Sequence, residues 1–493
     1  MDYVIVGNGV AGITAALDVR RRDPRAAITV ISGETDYFFS RTALMYSFMD
    51  RLSRRDLEPY ERGVYDAQRI RRVRGWVQDL DAHSRTLKLD SGQSIAWDRL
   101  LLATGSHPRR PDWQGLENVR SGLVNFVSMQ DLDACETVAR RGGKAVVVGG
   151  GLIGLELVEC LRWAGMEVTF LIREPWYWPI ALNEAESAMV IGHLRHHGVN
   201  VVTGEVVTAV ETDAAGAVTG ISTDPSMTGR PLTPNDEKGV LARSPSTEPR
   251  MPKSGNAPDA TALSGSRLRS GAFSEQRGSR YECCALGVSI GVEPAIDWLR
   301  NVSTPPRLGR GVIVDAGFRT SLPSVFAAGD CAEIELSRRT PFVEQIWYSA
   351  KRQSALAARS MLGEPIQYEP PIFFNSSKFF EIEYTTVGRF PRDSEPTQLP
   401  SAHEFYFRYP GKDVSLRIAE QDDAVRAFNL LGSRWDHNQC ERWIEERRSL
   451  DDVMDRLHQA QFDVEFGRLD LAPVRAAFKQ WRAGASASVE VTA

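Results

Sequence analysis

The sequence contains few cysteines. Six occur among 493 residues, and no two of them have the C-x-x-C spacing of a redox motif or a zinc site. Their density is far below that of a secreted domain held together by disulfides. We therefore expect reduced thiols. The residues are Cys135, Cys160, Cys283, Cys284, Cys331 and Cys440.

Long apolar runs and an excess of positive charge are also absent. No run approaches the roughly 18 apolar residues needed to cross a bilayer, and the first predicted strand begins at Asp2, which leaves no room for a signal peptide. The net charge of -5 provides no overall basic field for nucleic acid. These features predict a cytoplasmic protein with no membrane span and no nucleic-acid partner.

Two glycine-rich turns are the most informative feature that is present. The first glycine turn, residues 7–12, follows the apolar run 2–6, and the second glycine turn, residues 149–154, follows the run 144–148. In such a turn one glycine permits the tight bend, one leaves room for a pyrophosphate, and one lets the next helix pack closely. Two of them predict two bound dinucleotides, as in a flavoenzyme reduced by a nicotinamide. The glycines concerned are Gly7, Gly9, Gly12, Gly149, Gly151 and Gly154.

Each glycine turn is followed by a helix and a second strand, and the residue after that strand is placed to contact the ribose of the dinucleotide. Glu34 follows the strand 27–31 and is placed to accept hydrogen bonds from a ribose. Arg173 follows the strand 167–172, where a unit that prefers NADH usually has an acid. An arginine there can hold a 2′-phosphate, but the adjacent Glu174 can contact a free 2′-hydroxyl, and Arg173 can also be a solvated loop charge. On balance the pair favours NADPH.

The pattern of elements predicts an α/β fold with two Rossmann-like dinucleotide-binding domains and an α+β C-terminal domain. Residues 378–384 and 404–407 read as C-terminal strands, and two helical patterns follow near 439–446 and 449–461. Composition between 224 and 280 shifts to Ser, Pro, Gly, Thr and Arg, which favours a disordered insertion over a functional lid. The predicted domains are 1–111 with 296–363, 112–295, and 364–482, with a flexible tail at 483–493.

Four separated motifs together resemble the pyridine nucleotide-disulfide oxidoreductase superfamily, the flavoproteins with two dinucleotide-binding domains. In order, they are the first glycine turn, Ala103-Thr104-Gly105, the second glycine turn with Glu156, and the AAGD motif at 327–330. The resemblance covers about residues 1–363. It implies that the domain formed by 1–111 and 296–363 binds FAD and that 112–295 binds NAD(P)H. The further cofactor-contacting residues that it implies are Thr104, Gly105, Glu156, Gly329 and Asp330.

The segment 34–41 resembles the ferredoxin-, rubredoxin- and nitrite-reductase branch of this superfamily. The resemblance implies that Arg41 contacts the FAD pyrophosphate. Members of that branch often have a lysine five residues later, near the isoalloxazine, whereas this chain has Tyr46. No mechanism that needs a cation beside the flavin is therefore transferred, and no catalytic residue is assigned.

Residues 41–50 contain no cysteine. Disulfide reductases of this superfamily have a cysteine pair on the helix there, and peroxide or coenzyme A disulfide reductases have one cysteine. Without that thiol, electrons cannot pass from the flavin to a protein sulfur by the usual route. The resemblance then implies an FAD-dependent NAD(P)H oxidoreductase whose external acceptor is a small electron-carrier protein. The alternatives are a small-molecule or quinone reductase and a redox-sensing flavoprotein.

Three groups of side chains remain to be assigned. Gln345 and Trp347 open a helix where the superfamily brings residues to the flavin and nicotinamide faces, although an aromatic at helical spacing is also typical of a core. Core packing is favoured for the three cysteines that lie between 283 and 331. The histidines of segment 193–197 have no carboxylate or cysteine companion at ligand spacing, so the sequence predicts no metal site. These histidines are His193, His196 and His197.

Overall fold

The computed structural model describes residues 1–225, 278–337, 339–390, 403–462 and 469–484. Most of the predicted insertion, residues 226–277, and the end of the predicted tail, residues 485–493, lie outside these ranges. The strands on either side of the insertion are antiparallel neighbours, with Ser222 paired to Arg280. The insertion therefore leaves and re-enters the fold at one point.

The first unit is built on a parallel five-stranded sheet with the order β19-β7-β1-β2-β3. Its central strands are apolar and buried, as expected for a sheet covered on both faces. Strand β19, at one edge of this sheet, lies far along the chain, after the second glycine turn. The chain therefore returns to complete the sheet. The strands are β1 (Asp2–Val6), β2 (Ala27–Ser32), β3 (Ile70–Arg74), β7 (Arg99–Leu102) and β19 (Val325–Ala327).

Helix α1 (Val10–Arg22) connects β1 to β2 and packs against α7 (Trp347–Met361). Two short helices, α2 (Leu44–Phe48) and α3 (Gly63–Ala67), lie between β2 and β3. The smaller strands of this unit are β4 (Val77–Asp81), β5 (Thr86–Leu89), β6 (Ser94–Ala96), β8 (Ser106–Pro108), β17 (Val292–Pro294), β18 (Val312–Val314) and β20 (Ala332–Ile334).

The second unit repeats this architecture with the sheet order β12-β11-β10-β16-β9, all parallel. Its strands are β9 (Leu123–Val124), β10 (Lys144–Val148), β11 (Glu167–Ile172), β12 (Asn200–Thr203) and β16 (Ala285–Val288), and its helices are α4 (Met129–Arg141), α5 (Leu152–Trp163) and α6 (Glu184–His196). An antiparallel sheet is added by β13 (Val206–Thr212), β14 (Val218–Asp224) and β15 (Arg280–Glu282). The two parallel sheets agree with the predicted α/β class.

The described residues of the C-terminal region form an antiparallel sheet with the order β21-β22-β25-β24-β23, accompanied by three α-helices. Its strands are β21 (Phe374–Phe379), β22 (Ile382–Gly388), β23 (His403–Arg408), β24 (Ser415–Gln421) and β25 (Ala424–Leu431). Its helices are α8 (His437–Glu445), α9 (Leu450–Arg456) and α10 (Ala472–Arg482).

The prediction of one strand over 378–384 is wrong. Phe380 has a φ of 54°, and the chain reverses there, so that Phe379 pairs with Ile382 across a two-residue turn. An aromatic residue seldom takes a left-handed φ, which is why the alternating pattern gave no sign of the turn. The reversal places Glu381 at the tip of a hairpin rather than along a strand.

A continuous hydrophobic core joins the second unit to both of its neighbours. It contains Phe48 of α2, Phe170 of β11, and Phe379 and Tyr384 of the C-terminal sheet. Within the described ranges, no helix has both the length and the apolar composition that a membrane span requires.

Candidate functional site

The first glycine turn lies at the carboxyl end of β1. Gly7 has a φ of 111°, and a β-carbon there would lie 2.1 Å from the carbonyl oxygen of Ala103. A β-carbon at Gly12 would lie 1.9 Å from the carbonyl oxygen of Gly7, so α1 can approach the turn only with glycine at this position. At Gly9 a β-carbon would meet no protein atom within 4 Å. Gly9 therefore faces open space, as a position that borders a ligand should.

The second glycine turn has the same geometry. Gly149 has a φ of 116°, and its β-carbon would lie 2.1 Å from the carbonyl oxygen of Ser289. A β-carbon at Gly154 would lie 2.3 Å from the carbonyl oxygen of Gly149, whereas one at Gly151 would meet nothing within 4 Å. The two units thus share one pattern of two sterically required glycines around an open one.

The helix that follows each turn has an open N-terminus. Gly9 caps α1 and Gly151 caps α5, neither provides a side-chain cap, and neither helix has an acid in its first turn. The first amide groups of a helix lack intrahelical partners, and the helix dipole favours negative charge there. Both turns are therefore suited to bind the pyrophosphate of a dinucleotide.

Glu34 and Arg41, predicted to contact ribose and pyrophosphate, form an ion pair just beyond β2. Arg41 Nη1 donates hydrogen bonds to Glu34 Oε1 at 3.0 Å and to the carbonyl oxygen of Val127 at 2.6 Å. Arg41 Nη2 also contacts Glu34 Oε2. The fold thus places both groups at the edge of the sheet that carries the first glycine turn, with the guanidinium still about half exposed.

The two predicted motifs around residues 104 and 330 meet at the ends of β7 and β19. Ser106 Oγ donates a hydrogen bond of 2.8 Å to Asp330 Oδ2, and Thr104 Oγ1 donates one of 3.0 Å to the carbonyl oxygen of Ala295. Gly105 and Gly329 turn the chain with φ values of 71° and 81°. Burial raises the pKa of Asp330, against the opposing effect of the Ser106 hydrogen bond. The carboxyl group therefore lies in a desolvated position beside the first glycine turn.

Gln345 and Trp347 lie at the start of α7. Gln345 Nε2 and Trp347 Nε1 are buried donors that have no hydrogen-bond partner among the described residues. The same helix is tied to the turn that contains Gly329, since Gln353 Oε1 accepts a hydrogen bond of 3.0 Å from the Gly329 amide. Buried donors normally have a partner. A bound ring with carbonyl and nitrogen acceptors, such as isoalloxazine, fits this need.

Glu156 and Tyr46 face one another between α5 and α2. Burial, followed by the neighbouring Glu159, raises the pKa of Glu156 to about 8. Burial, followed by Glu156 and Glu159, raises the pKa of the Tyr46 phenol. The position where the resembling branch often has lysine thus holds a neutral phenol, and Glu156 is itself uncharged at neutral pH.

We expect Glu156→Gln to change the pH dependence of stability. Between the ordinary carboxyl pKa and about 8, folded Glu156 keeps a proton that the unfolded chain releases, so its contribution falls as pH rises through that window. Glutamine is neutral throughout. The variant should match the parent near pH ~5 and become progressively more stable up to pH ~8, beyond which the gap stays constant. The effect is measured as the thermal unfolding midpoint of the variant and of the parent across this pH range. If the two midpoints changed with pH in parallel, the prediction would be wrong.

Arg173 forms an ion pair with its neighbour rather than extending alone into solvent. Its Nη2 lies 2.9 Å from Glu174 Oε1, and its side chain remains 56% exposed. Both residues follow β11, at the edge of the sheet that carries the second glycine turn. They can therefore act together on the ribose end of a ligand bound there.

Several other residues at these sites were not predicted from the sequence. Tyr65 Oη donates a 3.1 Å hydrogen bond to Asn8 Oδ1 and fixes the first glycine turn from a helix 57 positions away. Ser289 has a buried hydroxyl with no partner among the described residues, and it borders the second glycine turn. Polar side chains on separate elements carry no local pattern, although Ser106 directly follows the Thr104-Gly105 motif and could have been noticed.

All six cysteines are free. Cys283 is buried, as expected, whereas Cys284 is exposed and its Sγ lies 3.1 Å from the carbonyl oxygen of Gly142. Cys331 is buried, and burial raises its thiol pKa. A buried thiol with a raised pKa is a poor nucleophile. Core packing is therefore confirmed for Cys283 and Cys331, whereas the same prediction is wrong for the exposed Cys284.

The expectation that the histidines lack carboxylate companions is wrong. His193 Nδ1 lies 2.8 Å from Asp413 Oδ2, and both His193 Nε2 and His197 Nε2 lie within 3.0 Å of Glu381 Oε2. Both carboxylates come from turns of the C-terminal sheet, 188 and 220 positions after His193 in the chain. Only the tertiary fold brings them to α6.

Comparison with known proteins agrees with this architecture. The chain is 25% identical over 451 residues to the ferredoxin--NAD(+) reductase component of the p-cumate 2,3-dioxygenase system of Pseudomonas putida, covering 91% of this chain and 94% of the relative. It is 27% identical over 370 residues to the corresponding component of the biphenyl dioxygenase system of Paraburkholderia xenovorans, covering 73% and 75%.

A solved structure shares the fold. The covalent putidaredoxin reductase-putidaredoxin complex matches with a TM-score of 0.71 at 19% identity, covering 90% of this chain and 93% of that chain. The profile of the family described as pyridine nucleotide-disulphide oxidoreductase matches residues 1–228 and 260–358. With two thirds of its length matched and both glycine turns in place, the chain belongs to the pyridine nucleotide-disulphide oxidoreductase family.

Proposed function

We propose that the protein is an FAD-dependent NAD(P)H oxidoreductase that passes electrons to a small electron-carrier protein. The observation that carries the proposal is the pair of glycine turns, each with an open glycine at the uncapped start of a helix. Relatives named ferredoxin--NAD(+) reductase components, matched over most of both chains, support a protein acceptor.

The first unit would hold FAD and the second a nicotinamide dinucleotide, with the domain limits predicted from the sequence. Bound FAD supplies the redox chemistry, because it can take up a hydride and release electrons. The protein's part is to bind the two pyrophosphates, to fix the rings and to exclude water. The FAD group would contact Gly7, Gly9, Gly12, Glu34, Arg41, Thr104, Gly105, Gly329, Asp330, Gln345 and Trp347. The nicotinamide dinucleotide would contact Gly149, Gly151, Gly154, Glu156 and Arg173.

The acceptor must lie outside the chain, because residues 41–50 provide no thiol. Cys135, Cys160, Cys331 and Cys440 are buried, and burial raises the pKa of each. None of these four is suited to relay electrons as a thiolate. Cys284 is exposed, but it directly precedes β16, at the end of the sheet opposite to the second glycine turn. Electrons would therefore leave the flavin directly for a docked partner.

Anaerobic rapid mixing tests the proposal. The purified protein is first reduced with NADH or NADPH, then mixed with a [2Fe-2S] ferredoxin, a rubredoxin, a quinone, or buffer alone. We expect fast reoxidation of the flavin by at least one protein carrier and slow reoxidation by quinone or buffer. Faster reoxidation by quinone than by every carrier would indicate a small-molecule reductase. A long-lived reduced flavin with a changed oligomeric state would indicate a redox sensor.

We further propose that NADPH is preferred over NADH, through Arg173. Arginine binds phosphate by charge-assisted hydrogen bonds, and an exposed guanidinium can turn toward a 2′-phosphate. The names of the relatives specify NAD(+), so this preference rests on Arg173 itself.

Arg173→Ala should lower kcat/KM for NADPH about tenfold, or ~1.4 kcal/mol, relative to NADH. Glu174→Gln is the matched control: removal of its charge releases Arg173 and should move the ratio toward NADPH. Steady-state kinetics with both nucleotides measure these ratios. An unchanged ratio in Arg173→Ala means that the arginine does not read the 2′-position.

A further inference from the structure

Two histidines and two carboxylates meet where the second unit contacts the C-terminal sheet. His193 and His197 lie one turn apart on the end of α6, and so share a helix face. Glu381 lies at the turn between β21 and β22, and Asp413 lies between β23 and β24. Two hairpin turns of one unit therefore converge on one helix end of another.

The potential ligand atoms are close enough to share one ion. Glu381 Oε2 lies 2.9 Å from His193 Nε2 and 3.0 Å from His197 Nε2. One ligand atom from each of these three residues lies within 4.8 Å of the others. Ligand bonds of ~2.0–2.1 Å in a tetrahedral zinc site need only small side-chain shifts from this arrangement.

Hydrogen bonding within the cluster is compatible with a bound cation. A neutral imidazole has one N–H, so His193 cannot donate to both carboxylates that face its two ring nitrogens. If His193 donates its Nδ1–H to Asp413 Oδ2 at 2.8 Å, its Nε2 lone pair points at Glu381. A carboxylate that orients a histidine in this way is the usual outer partner of a metal-binding imidazole.

The surroundings hold the cluster in place and leave it open on one side. The Phe380 ring lies 4.7 Å from the His197 ring at an angle of 33°, and Arg408 Nη2 lies 3.2 Å from Asp413 Oδ1. The His193 side chain is 12% exposed, that of His197 30% and that of Glu381 66%. Solvent therefore reaches the side where a fourth ligand, water, would complete a tetrahedron.

We propose that His193, His197 and Glu381 bind a divalent transition-metal ion, with Asp413 orienting His193. Two imidazoles and a carboxylate suit zinc. The ion joins α6 to the β21–β22 turn, whose Phe380 amide also donates a hydrogen bond of 3.2 Å to Glu159 Oε2 in α5. Its effect is to fasten the C-terminal sheet to the second unit, independently of the electron acceptor.

Zinc binding by the flavin-containing protein tests the proposal. After treatment with EDTA and its removal, the protein is dialysed against micromolar zinc chloride and its metal content measured. We expect one zinc per chain for the parent and at least tenfold weaker binding for His197→Ala and Glu381→Gln. His196→Ala is the matched control, since His196 is exposed on the same helix outside the cluster, and it should bind like the parent.

Two further measurements separate ligand loss from misfolding. Cobalt(II) alone should give the visible absorption of a tetrahedral site beyond the flavin band in the parent and His196→Ala, and not in Glu381→Gln. Zinc should raise the unfolding midpoint of the first two only. If the parent takes up no zinc, or if Glu381→Gln and His197→Ala bind it as well as the parent, the cluster is a hydrogen-bonded ion pair and the proposal is overturned.

Discussion

Gly9→Ala should give a folded protein that purifies without flavin, and Gly151→Ala should give a yellow protein that nicotinamide cannot reduce. Each substitution adds one methyl group to one glycine turn. A loss of at least 100-fold in affinity for the corresponding dinucleotide is expected, equivalent to ~2.7 kcal/mol or more. These are the largest functional effects that we predict for the addition of a single methyl group.

The fold should tolerate both changes. A β-carbon at either position meets no protein atom within 4 Å, and the φ values of −81° for Gly9 and −105° for Gly151 suit any residue. The space that the methyl group would fill is the one in which we propose that a pyrophosphate approaches the backbone. The protein therefore keeps its packing, and the ligand loses its close contact with the helix amides.

The two variants serve as controls for each other. Flavin content is read from the visible spectrum and from FAD titration, and reduction from anaerobic mixing with NADH and NADPH. Similar far-ultraviolet dichroism and unfolding midpoints should accompany the two different losses. If Gly9→Ala retained its flavin, or if Gly151→Ala were reduced at the parental rate, the assignment of the affected turn would be wrong.

Gly7 or Gly12 would be a poorer choice for this test. At both positions a β-carbon would lie within about 2 Å of a backbone oxygen, so substitution would disturb the turn itself. Loss of cofactor would then not distinguish a ligand contact from a folding defect. Substitution of Gly9 or Gly151, where an added β-carbon meets no protein atom, can distinguish a lost ligand contact from a folding defect.

The two glycine turns could be predicted from the sequence alone. The glycine turns each occupy six consecutive residues between a strand and a helix, and every physical requirement acts within that span. The motif containing Thr104 and the one containing Asp330 were also recognisable separately, but their meeting through Ser106 spans 224 positions. A motif whose requirements lie within a few neighbouring residues can be predicted from the sequence. A contact between distant residues depends on how the sheets pack and cannot be predicted in this way.

The histidine cluster shows the other limit. Segment 193–197 carries no acid, so the absence of companions was a fair inference from the sequence. The missing carboxylates come from turns, and one of these turns was predicted as a continuous strand. Phe380 adopts a left-handed φ that its residue type disfavours, and its ring packs on His197. Glu381 follows it at the tip of the hairpin, beside the same histidine.

The second large effect is expected at a buried ion pair between the second unit and the C-terminal sheet. Glu186 of α6 is fully buried, and its Oε2 lies 3.0 Å from Arg417 Nη2 of β24, whose side chain is only 7% exposed. Asn429 Nδ2 donates a hydrogen bond of 3.0 Å to Glu186 Oε1, and the backbone N–H of Asn183 donates one of 2.9 Å to Glu186 Oε2. Burial raises the pKa of Glu186, and Arg417 opposes the shift.

Arg417→Met should cost about 3–5 kcal/mol of stability, because it leaves a buried carboxylate without its counter-ion. Methionine keeps most of the volume, so a cavity contributes little. Urea unfolding followed by tryptophan fluorescence measures the shift in midpoint. Arg426→Met, which removes a partly exposed pair between β25 and Asp422 of the β24–β25 turn, is the control and should change stability by less than about 1 kcal/mol.

The pH dependence identifies the cause. In Arg417→Met the folded-state pKa of Glu186 should rise further above its unfolded value, so the folded chain binds the proton more tightly. Stability relative to the parent is then highest at low pH and is lost as pH rises through the folded pKa. Adding Glu186→Gln removes the buried charge, so the double variant should have a flat profile and should recover the pH-dependent part of the loss. The contacts of Arg417 with Glu404 Oε2 and with the Ala181 carbonyl oxygen stay lost in both variants. A deficit in Arg417→Met that does not change with pH, or that persists in full in the double variant, would mean that these other lost contacts rather than the unpaired Glu186 carboxylate set the cost.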